Sequence, residues 1–262
     1  MVRIVVNGVG KLGRAIVSAA QYSAGQNASD KEASVTVVAG VDRHLVDTQG
    51  PDAMSVPLYA SLDEVTEPFD VLVDASTAGA LDEVVAYAVQ NHKPLLIAAT
   101  GHDDAQVEQI AVAAQQIPIL RSSNLSVGVN VVRKLVADAA RILGPVDTEI
   151  VEAHHRMKVD APSGTALTLA QAVRDASDPE RPFVYGRTPD TAGARGNEIG
   201  IHAVRGGTVV GEHTVTFLLE DEIVEVRHLA QSRQVFGFGA LQAARFLAQQ
   251  SAGLYSMEDL LG

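Results

Sequence analysis

The chain has 262 residues, 47% of them hydrophobic, enough to bury one large core or two smaller ones. Its 32 acidic against 20 basic side chains, a formal net charge of -12, disfavour nonspecific binding to nucleic acid or anionic lipid, so an anionic ligand needs local positive charge. The absence of cysteine excludes a disulfide framework, a thiolate nucleophile and a cysteine-based zinc site.

The chain begins MVRIVVNG, which is a strand pattern rather than a signal peptide, and none of its apolar runs approaches ~18 residues. We therefore expect neither export by a standard signal nor insertion into a membrane. The composition without cysteine fits the cytoplasm.

Short β-branched segments alternate with helical patterns in the first half of the chain. Strands are predicted at residues 3–6, 35–41, 71–73, 95–97 and 117–120. Helices are predicted at residues 12–21, 80–90, 104–115 and 130–143. This βαβ order predicts an α/β fold with a Rossmann-like, doubly wound parallel sheet.

The second half has longer strands joined by short turns. After a strand at 148–153 and a helix at 166–173, further strands are predicted at 198–204, 209–219 and 223–230. This pattern predicts an antiparallel or mixed sheet in a separate α+β domain. The irregular segment 175–196 is predicted to be a mobile loop over a site or at a subunit contact.

A last helix, predicted at 236–249, is expected to close the first domain. Residues 1–125 and 233–262 then form one domain, and residues 126–232 are inserted into it.

A G-x-G-x-x-G pattern, Gly8 to Gly13, lies between the first predicted strand and the first predicted helix. In this context the glycines permit a tight turn and close approach of the backbone to the pyrophosphate of a dinucleotide. The alternative is a glycine-rich turn without a ligand.

The second predicted strand ends at Asp42 and Arg43. At this position a carboxylate can bind the adenosine ribose and a neighbouring cation can accept a 2′-phosphate, so the pair indicates use of both NADH and NADPH. The polar segment 22–34 lengthens the separation from the glycines beyond the usual ~20 residues. Asp42 as a simple turn cap is the alternative.

Two loops of small and polar residues, 98–101 and 122–126, follow predicted strands. Ligands bind outside the carboxyl ends of strands in open α/β sheets, so these loops are candidates for the nicotinamide pocket. Plain turns are the alternative.

Residues 152–166, EAHHRMKVDAPSGTA, place two histidines, an arginine and a lysine ahead of the predicted helix start at Ser163, Gly164 and Thr165. Unpaired backbone N–H groups and the positive end of the helix dipole attract a carboxylate or phosphate there. The segment therefore predicts a site for a small anionic substrate beside titratable side chains.

Adjacent histidines in a strand point to opposite faces, so His154 and His155 share a pocket only if the chain bends. A pair of structural or surface histidines is the alternative. A metal site at Glu152 and these histidines is disfavoured because no His pair has i, i+4 spacing on a helix, and we expect no metal. The remaining histidines considered are expected to be structural or surface residues: His92, His102, His202, His213 and His228.

The string 154–166, the nucleotide motif, the sequence Arg205-Gly206-Gly207 and the segment 211–215 together resemble the 4-hydroxy-tetrahydrodipicolinate (dihydrodipicolinate) reductase family. The resemblance runs nearly end to end, and H-H-x-x-K-x-D-A-P-S-G-T is highly specific. It implies an enzyme of lysine and diaminopimelate biosynthesis that reduces 4-hydroxy-tetrahydrodipicolinate to tetrahydrodipicolinate with NADH or NADPH and loss of water. It also implies a cytoplasmic homotetramer.

The resemblance further implies that residues 1–125 and 233–262 bind the dinucleotide, and that residues 126–232 bind the substrate and form the oligomer. It assigns proton transfer to His154 and Lys158. Substrate binding falls on His155, Gly164 and Thr165, with Ser163 in the same turn. Cofactor contacts fall on Asn7, Gly8, Val9, Gly10, Lys11, Leu12, Asp42, Arg43, Ala98, Ala99, Thr100, Ser122, Ser123, Asn124 and Leu125. The chain departs from the family at Asn7, where glycine is frequent, and at Ala98-Ala99, where G-T-T-G is common.

Hydride reduction of a cyclic imine dicarboxylate leaves electron density that a proton must quench, which suits an ammonium or imidazolium group. Lys158 and His154 supply such groups. The turn 163–165 and nearby cations can hold the carboxylates, and Arg233 is either one of these cations or a solvated side chain. The competing hypotheses are an aspartate or homoserine dehydrogenase and a dinucleotide sensor without catalytic activity.

Overall fold

A computed structural model describes residues 1–26, 34–44, 54–190 and 193–262. They form two compact units, one of Met1–Val127 with Gln234–Gly262 and one of Gly128–Arg233. No helix in these ranges is long and apolar enough to cross a membrane.

The strands and helices of both units are numbered in chain order. The strands are β1 (Val2–Asn7), β2 (Val35–Val41), β3 (Leu58–Tyr59), β4 (Val71–Asp74), β5 (Leu95–Ile97), β6 (Pro118–Arg121), β7 (Asp147–His154), β8 (Phe183–Tyr185), β9 (Ile199–Arg205), β10 (Gly211–Leu218), β11 (Ile223–Ala230) and β12 (Gly253–Tyr255). The α-helices are α1 (Lys11–Gln26), α2 (Leu81–Gln90), α3 (Asp104–Ala113), α4 (Val127–Leu143), α5 (Gly164–Ser177), α6 (Gln234–Leu247) and α7 (Met257–Leu261).

The first unit contains a parallel sheet in the order β12-β6-β5-β4-β1-β2-β3. Its central strands are apolar on both faces, because α1 and α6 cover one face and α2 and α3 cover the other. This is the predicted Rossmann-like, doubly wound fold, and the prediction is confirmed.

The strand register aligns the last residues of four neighbouring strands at the carboxyl edge of this sheet. Asn7 is opposite Asp74, Asp74 is opposite Ile97, and Ile97 is opposite Arg121. The loops that follow these strands therefore leave the sheet side by side, which is where open α/β sheets bind ligands.

The second unit contains a mixed sheet in the order β11-β10-β7-β9-β8. Strands β11, β10 and β7 are antiparallel, whereas β7, β9 and β8 are parallel. Alternate residues such as Ile150, Val215 and Phe217 are buried with apolar residues of α4 and α5. On the opposite face Val151 and Val204 are 43% and 53% exposed.

The segment 175–196 differs from the predicted mobile loop. Helix α5 continues to Ser177, β8 pairs with β9, and Arg181 is only 1% exposed. Its guanidinium donates hydrogen bonds to the carbonyls of Val146 and Asn197. These partners, distant in the sequence, order a segment whose Pro, Gly and Arg content indicated a loop. Residues 191 and 192 lie outside the described residues, as do 27–33 of the polar segment 22–34.

Candidate active site

The glycine turn between β1 and α1 has the backbone geometry that a dinucleotide requires. Gly8 has φ +87°, and a Cβ there would lie 2.6 Å from the backbone nitrogen of Ser76. A Cβ at Gly13 would overlap the carbonyl oxygen of Gly8, whereas one at Gly10 would have no atom within 4 Å. The turn therefore has no room for a side chain at Gly8 or Gly13 but is open at Gly10. A pyrophosphate can approach the backbone there, at the start of α1.

Asp42 is held at the end of β2 by two backbone donors. Its Oδ2 accepts a hydrogen bond from the nitrogen of Val9 at 3.1 Å, and its Oδ1 accepts one from the nitrogen of His44 at 2.9 Å. Each carboxylate oxygen retains a second lone pair for a ribose hydroxyl. Asp42 therefore caps the turn, and its carboxylate can still bind a ribose hydroxyl.

The candidate nicotinamide loops line one cavity of about 620 Å³ at the carboxyl ends of β5, β6 and β12. Its lining consists of Ala99, Thr100, Gly101, Arg121, Ser122, Ser123, Leu254, Tyr255, Ser256 and Asp259. Leu125 does not line it, because its side chain is 2% exposed and lies in the apolar core. Asn124 holds the loop through its Oδ1, which accepts a hydrogen bond from the nitrogen of Ser126.

Glu152 is the centre of a buried hydrogen-bond network in the second unit. Its side chain has no exposed surface, and its Oε2 lies 2.6 Å from Nδ1 of His154. Arg205 donates one bond of 2.7 Å to each carboxylate oxygen, and the nitrogen of Ser163 donates a bond of 2.9 Å to Oε1. Burial by itself would raise the pKa of Glu152, but the bonds from Arg205, His154 and Ser163 outweigh it and lower the pKa below the ordinary value.

The protonation state of His154 follows from this network. Burial lowers the pKa of His154, and the opposing effect of Glu152 does not restore it. Because Glu152 is ionised, it only accepts hydrogen bonds, so Nδ1 of His154 carries the proton. His154 is then neutral near pH 7, with a free lone pair on Nε2.

His213 packs beside His154 with 5.1 Å between the ring centroids. Burial, followed by repulsion from His154 in its protonated form, lowers the pKa of His213 to about 4. Its Nε2 lies 3.1 Å from Oγ of Ser163. A Cβ at Gly211 would lie 3.1 Å from Nε2 of His154, which favours glycine there.

Lys158 is connected to the same network through Asp160. Its Nζ donates to Oδ1 of Asp160 at 2.9 Å, and Arg205 donates to the carbonyl oxygen of Asp160 at 2.7 Å. The site therefore contains a neutral imidazole, an ammonium group and an Arg–Glu pair within one connected set of side chains.

His155 lies in a different environment from His154. It follows β7 and lines a cavity of about 450 Å³, together with Arg156, Met157, Gly207, Thr208, Val210 and Arg233. Nη2 of Arg233 lies 3.1 Å from Nε2 of His155. The two histidines thus point to different surroundings, as strand alternation predicts, and the cavity lined by His155 and Arg233 does not include His154.

Helix α5 begins at Gly164, as its sequence indicates, and Ser163 is its N-cap. The hydroxyl of Ser163 accepts a hydrogen bond from the nitrogen of Ala166, and its own nitrogen donates to Glu152. Since Ser163 is 2% exposed, its hydroxyl and its backbone nitrogen both form hydrogen bonds inside the protein. Gly164 and Thr165 follow Ser163 as the first two residues of the helix, at the positive end of the helix dipole.

Sequence reasoning did not assign Glu152 and Arg205 to the site. Glu152 precedes His154 by two residues in a strand, a spacing that places both side chains on one face and could have indicated the contact. Arg205 is 53 residues from Glu152, and their contact has no local sequence pattern. In the described ranges no group of acidic residues and histidines is arranged to hold a metal ion.

Comparison with known proteins accounts for both units. A family model described as "Dihydrodipicolinate reductase, N-terminus" matches residues 2–125, and one described as "Dihydrodipicolinate reductase, C-terminus" matches residues 128–261. The chain belongs to the dihydrodipicolinate reductase family. It is therefore an oxidoreductase that uses a nicotinamide dinucleotide.

Individual relatives of this reductase family cover nearly the whole chain. The 4-hydroxy-tetrahydrodipicolinate reductase of Caldanaerobacter subterraneus subsp. tengcongensis is 44% identical over 100% of the chain and 98% of its own length. That of Pseudomonas fluorescens is 41% identical over 100% of the chain and 99% of its length. Among solved structures, a dipicolinate-bound dihydrodipicolinate reductase from Paenisporosarcina sp. TG-14 has a TM-score of 0.78 and 25% identity, covering 98% of this chain and 97% of that one.

Proposed function

We propose that the enzyme reduces 4-hydroxy-tetrahydrodipicolinate to tetrahydrodipicolinate with NADH or NADPH, in lysine and diaminopimelate biosynthesis. The observation that carries this proposal is the network of His154, Glu152 and Arg205 beside Lys158, in a chain 44% identical to a 4-hydroxy-tetrahydrodipicolinate reductase. The dinucleotide supplies the hydride when it is bound. The residues of the chain bind the substrate and control the proton.

Lys158 is the proton donor in this proposal. Its ammonium group is paired with the exposed carboxylate of Asp160, a contact that orients the amine. Loss of water from the 4-hydroxy substrate gives a conjugated imine, hydride addition to this imine generates a carbanion-like centre, and proton transfer from Lys158 quenches that centre.

His154 acts as a neutral imidazole in this proposal. The Nδ1 proton is committed to Glu152, so Nε2 can accept a hydrogen bond from the substrate or from Lys158. Arg205 balances the charge of Glu152, so the carboxylate orients the ring without converting it to imidazolium.

The substrate carboxylates are assigned to two groups of donors. Gly164 and Thr165 lie at the start of α5, where the helix dipole attracts an anion, and His155 with Arg233 lines a cavity of about 450 Å³. Dipicolinate, which the Paenisporosarcina relative binds, is a cyclic dicarboxylate of the same class. This likeness supports a dicarboxylate substrate.

The dinucleotide is assigned to the first unit. The proposed contacts are the turn 7–12 with Asp42 and Arg43 at the adenosine end, and the loops 98–100 and 122–125 at the nicotinamide end. Leu125 and Asn124 contribute through their backbone and loop geometry, since the side chain of Leu125 is buried. Residues 1–125 and 233–262 accordingly form the dinucleotide-binding domain, and residues 126–232 form the substrate domain.

The exposed face of the second sheet supports a homotetramer assembled through this domain. Val151, Val204 and Leu229 are 43%, 53% and 51% exposed on neighbouring strands, which gives the face apolar area to bury against another copy. We assign the enzyme to the cytoplasm, where biosynthetic reductases draw on the dinucleotide pool.

The deciding experiment follows nicotinamide absorbance at 340 nm with freshly generated substrate. Oxidation of NADH or NADPH that depends on both substrate and enzyme supports the proposal. Dinucleotide binding without oxidation would instead favour the sensor hypothesis, and turnover of aspartate or homoserine would favour the dehydrogenase hypothesis.

A further inference from the structure

Arg43 is paired with a residue that the proposed cofactor site does not include. It lies on the turn after β2, and its Nη2 contacts the carboxylate of Glu83 in the first turn of α2. In the sheet β1 lies between β2 and β4, and α2 follows β4 in the chain. The ion pair therefore bridges the carboxyl edge of the sheet across the end of β1, where the glycine turn begins.

The charges at this edge favour a dinucleotide without a 2′-phosphate. Asp42, held by the nitrogens of Val9 and His44, adds a second carboxylate beside Arg43. A guanidinium that already binds Glu83 has to give up that pair, or share it, before it can bind a phosphate. NADH lacks the 2′-phosphate and needs no such exchange.

We infer that Glu83 is a specificity-determining residue that holds Arg43 and thereby lowers the affinity for NADPH relative to NADH. The inference rests on the proposed function, because it requires the adenosine end of the dinucleotide at Asp42 and Arg43. The side chains of Arg43 and Glu83 are 59% and 52% exposed, so water and salt screen the pair. The expected effect is about 3- to 5-fold, in the range measured for exposed ion pairs.

The test measures dissociation constants for NADPH and NADH by nicotinamide fluorescence at fixed ionic strength. Glu83→Gln removes the charge and keeps the size of the side chain. We expect it to tighten NADPH by about 3- to 5-fold and to leave NADH unchanged. The matched control is Asp82→Asn, which removes the same charge from the neighbouring position of α2 and is expected to change neither constant.

A double-mutant cycle with Arg43→Ala separates two causes. If Glu83 acts by holding Arg43, Glu83→Gln has no effect on NADPH once Arg43 is gone. If Glu83→Gln tightens NADPH binding as much in the Arg43→Ala background as in the wild type, Glu83 repels the phosphate directly. This result would overturn the inference. An unchanged NADPH to NADH ratio in Glu83→Gln, or an equal change in Asp82→Asn, would overturn it too.

Turnover distinguishes failure of this inference from failure of the proposed function. Wild-type enzyme that oxidises both dinucleotides with substrate, while Glu83→Gln leaves their ratio unchanged, contradicts only the role of Glu83. Wild-type enzyme that binds neither dinucleotide contradicts both.

Discussion

Oε2 of Glu152 lies 2.6 Å from Nδ1 of His154, at the end of β7, and the same carboxylate accepts two hydrogen bonds from Arg205. This contact determines which ring nitrogen of His154 carries the proton. A histidine held by a buried carboxylate keeps one tautomer and one orientation, which is a common requirement for proton transfer.

Replacing Glu152 by Gln is expected to lower kcat by ~10²-fold, because the amide can accept or donate and no longer enforces one tautomer of His154. Steady-state kinetics with a thermal melt would measure the effect. Glu149→Gln is the matched control: Glu149 also lies on β7 and binds an arginine and a histidine, Arg187 and His202, away from the proposed site. Equal losses in both variants would mean that Glu152 has only a structural role.

Lys158→Ala is expected to lower kcat by ~10²-fold or more, since it removes the proposed proton donor while the dinucleotide contacts stay intact. Dinucleotide binding by fluorescence should remain within about 2-fold, because Lys158 lies in the unit Gly128–Arg233, outside the proposed dinucleotide contacts. Lys134→Ala, which removes an exposed lysine of α4, serves as the control. An unchanged kcat in Lys158→Ala would exclude Lys158 from proton transfer.

The stability of the enzyme should fall as the pH drops from 7 to 4, in part because of His213. Burial lowers its pKa to about 4 in the folded protein, whereas its pKa in the unfolded chain is near 6.5. Between these two pH values the unfolded chain binds a proton at His213 and the folded protein does not. The contribution of His213 to the free energy of unfolding is therefore fully present above pH 6.5 and is lost as the pH falls to 4. The loss is about 3 kcal/mol, at roughly 1.4 kcal/mol per pKa unit. Urea unfolding of wild type and His213→Gln at several pH values would measure it. If the free energy of unfolding fell equally with pH in both proteins, the assignment to His213 would be wrong.

Gly8→Ala is expected to weaken dinucleotide binding by about 10-fold or more, because φ is +87° and the new Cβ would lie 2.6 Å from the nitrogen of Ser76. Fluorescence titration with NADH would measure the loss. Gly25→Ala is the control, since a Cβ there meets no atom within 4 Å and Gly25 lies in α1. That variant should bind normally and gain about 0.5–1 kcal/mol of stability. Normal binding by Gly8→Ala would show that the turn tolerates a side chain.

Local sequence patterns predicted much of this molecule. The glycine turn at 8–13 lies between β1 and α1 as its spacing indicated, and α5 begins at Gly164 after its Ser163 cap. Three strands at the sheet edges were not predicted: β3 has two residues, and β8 and β12 have three each, without the fully buried apolar run of the equally short β5. They are ordered by pairing with longer neighbours, and β8 is further supported by the buried guanidinium of Arg181.

The sequence by itself determined the fold class and indicated the segment 152–166 as a candidate site, because periodicity and motif spacing are properties of neighbouring residues. Only the tertiary structure decided what these groups contact. The carboxylate beside His154 is neutralised by Arg205 from 53 residues away, and His155 is turned toward Arg233 from 78 residues away. Charge state and tautomer depend on burial and on such distant partners, and these exist only once β7, β9 and β10 have assembled into one sheet.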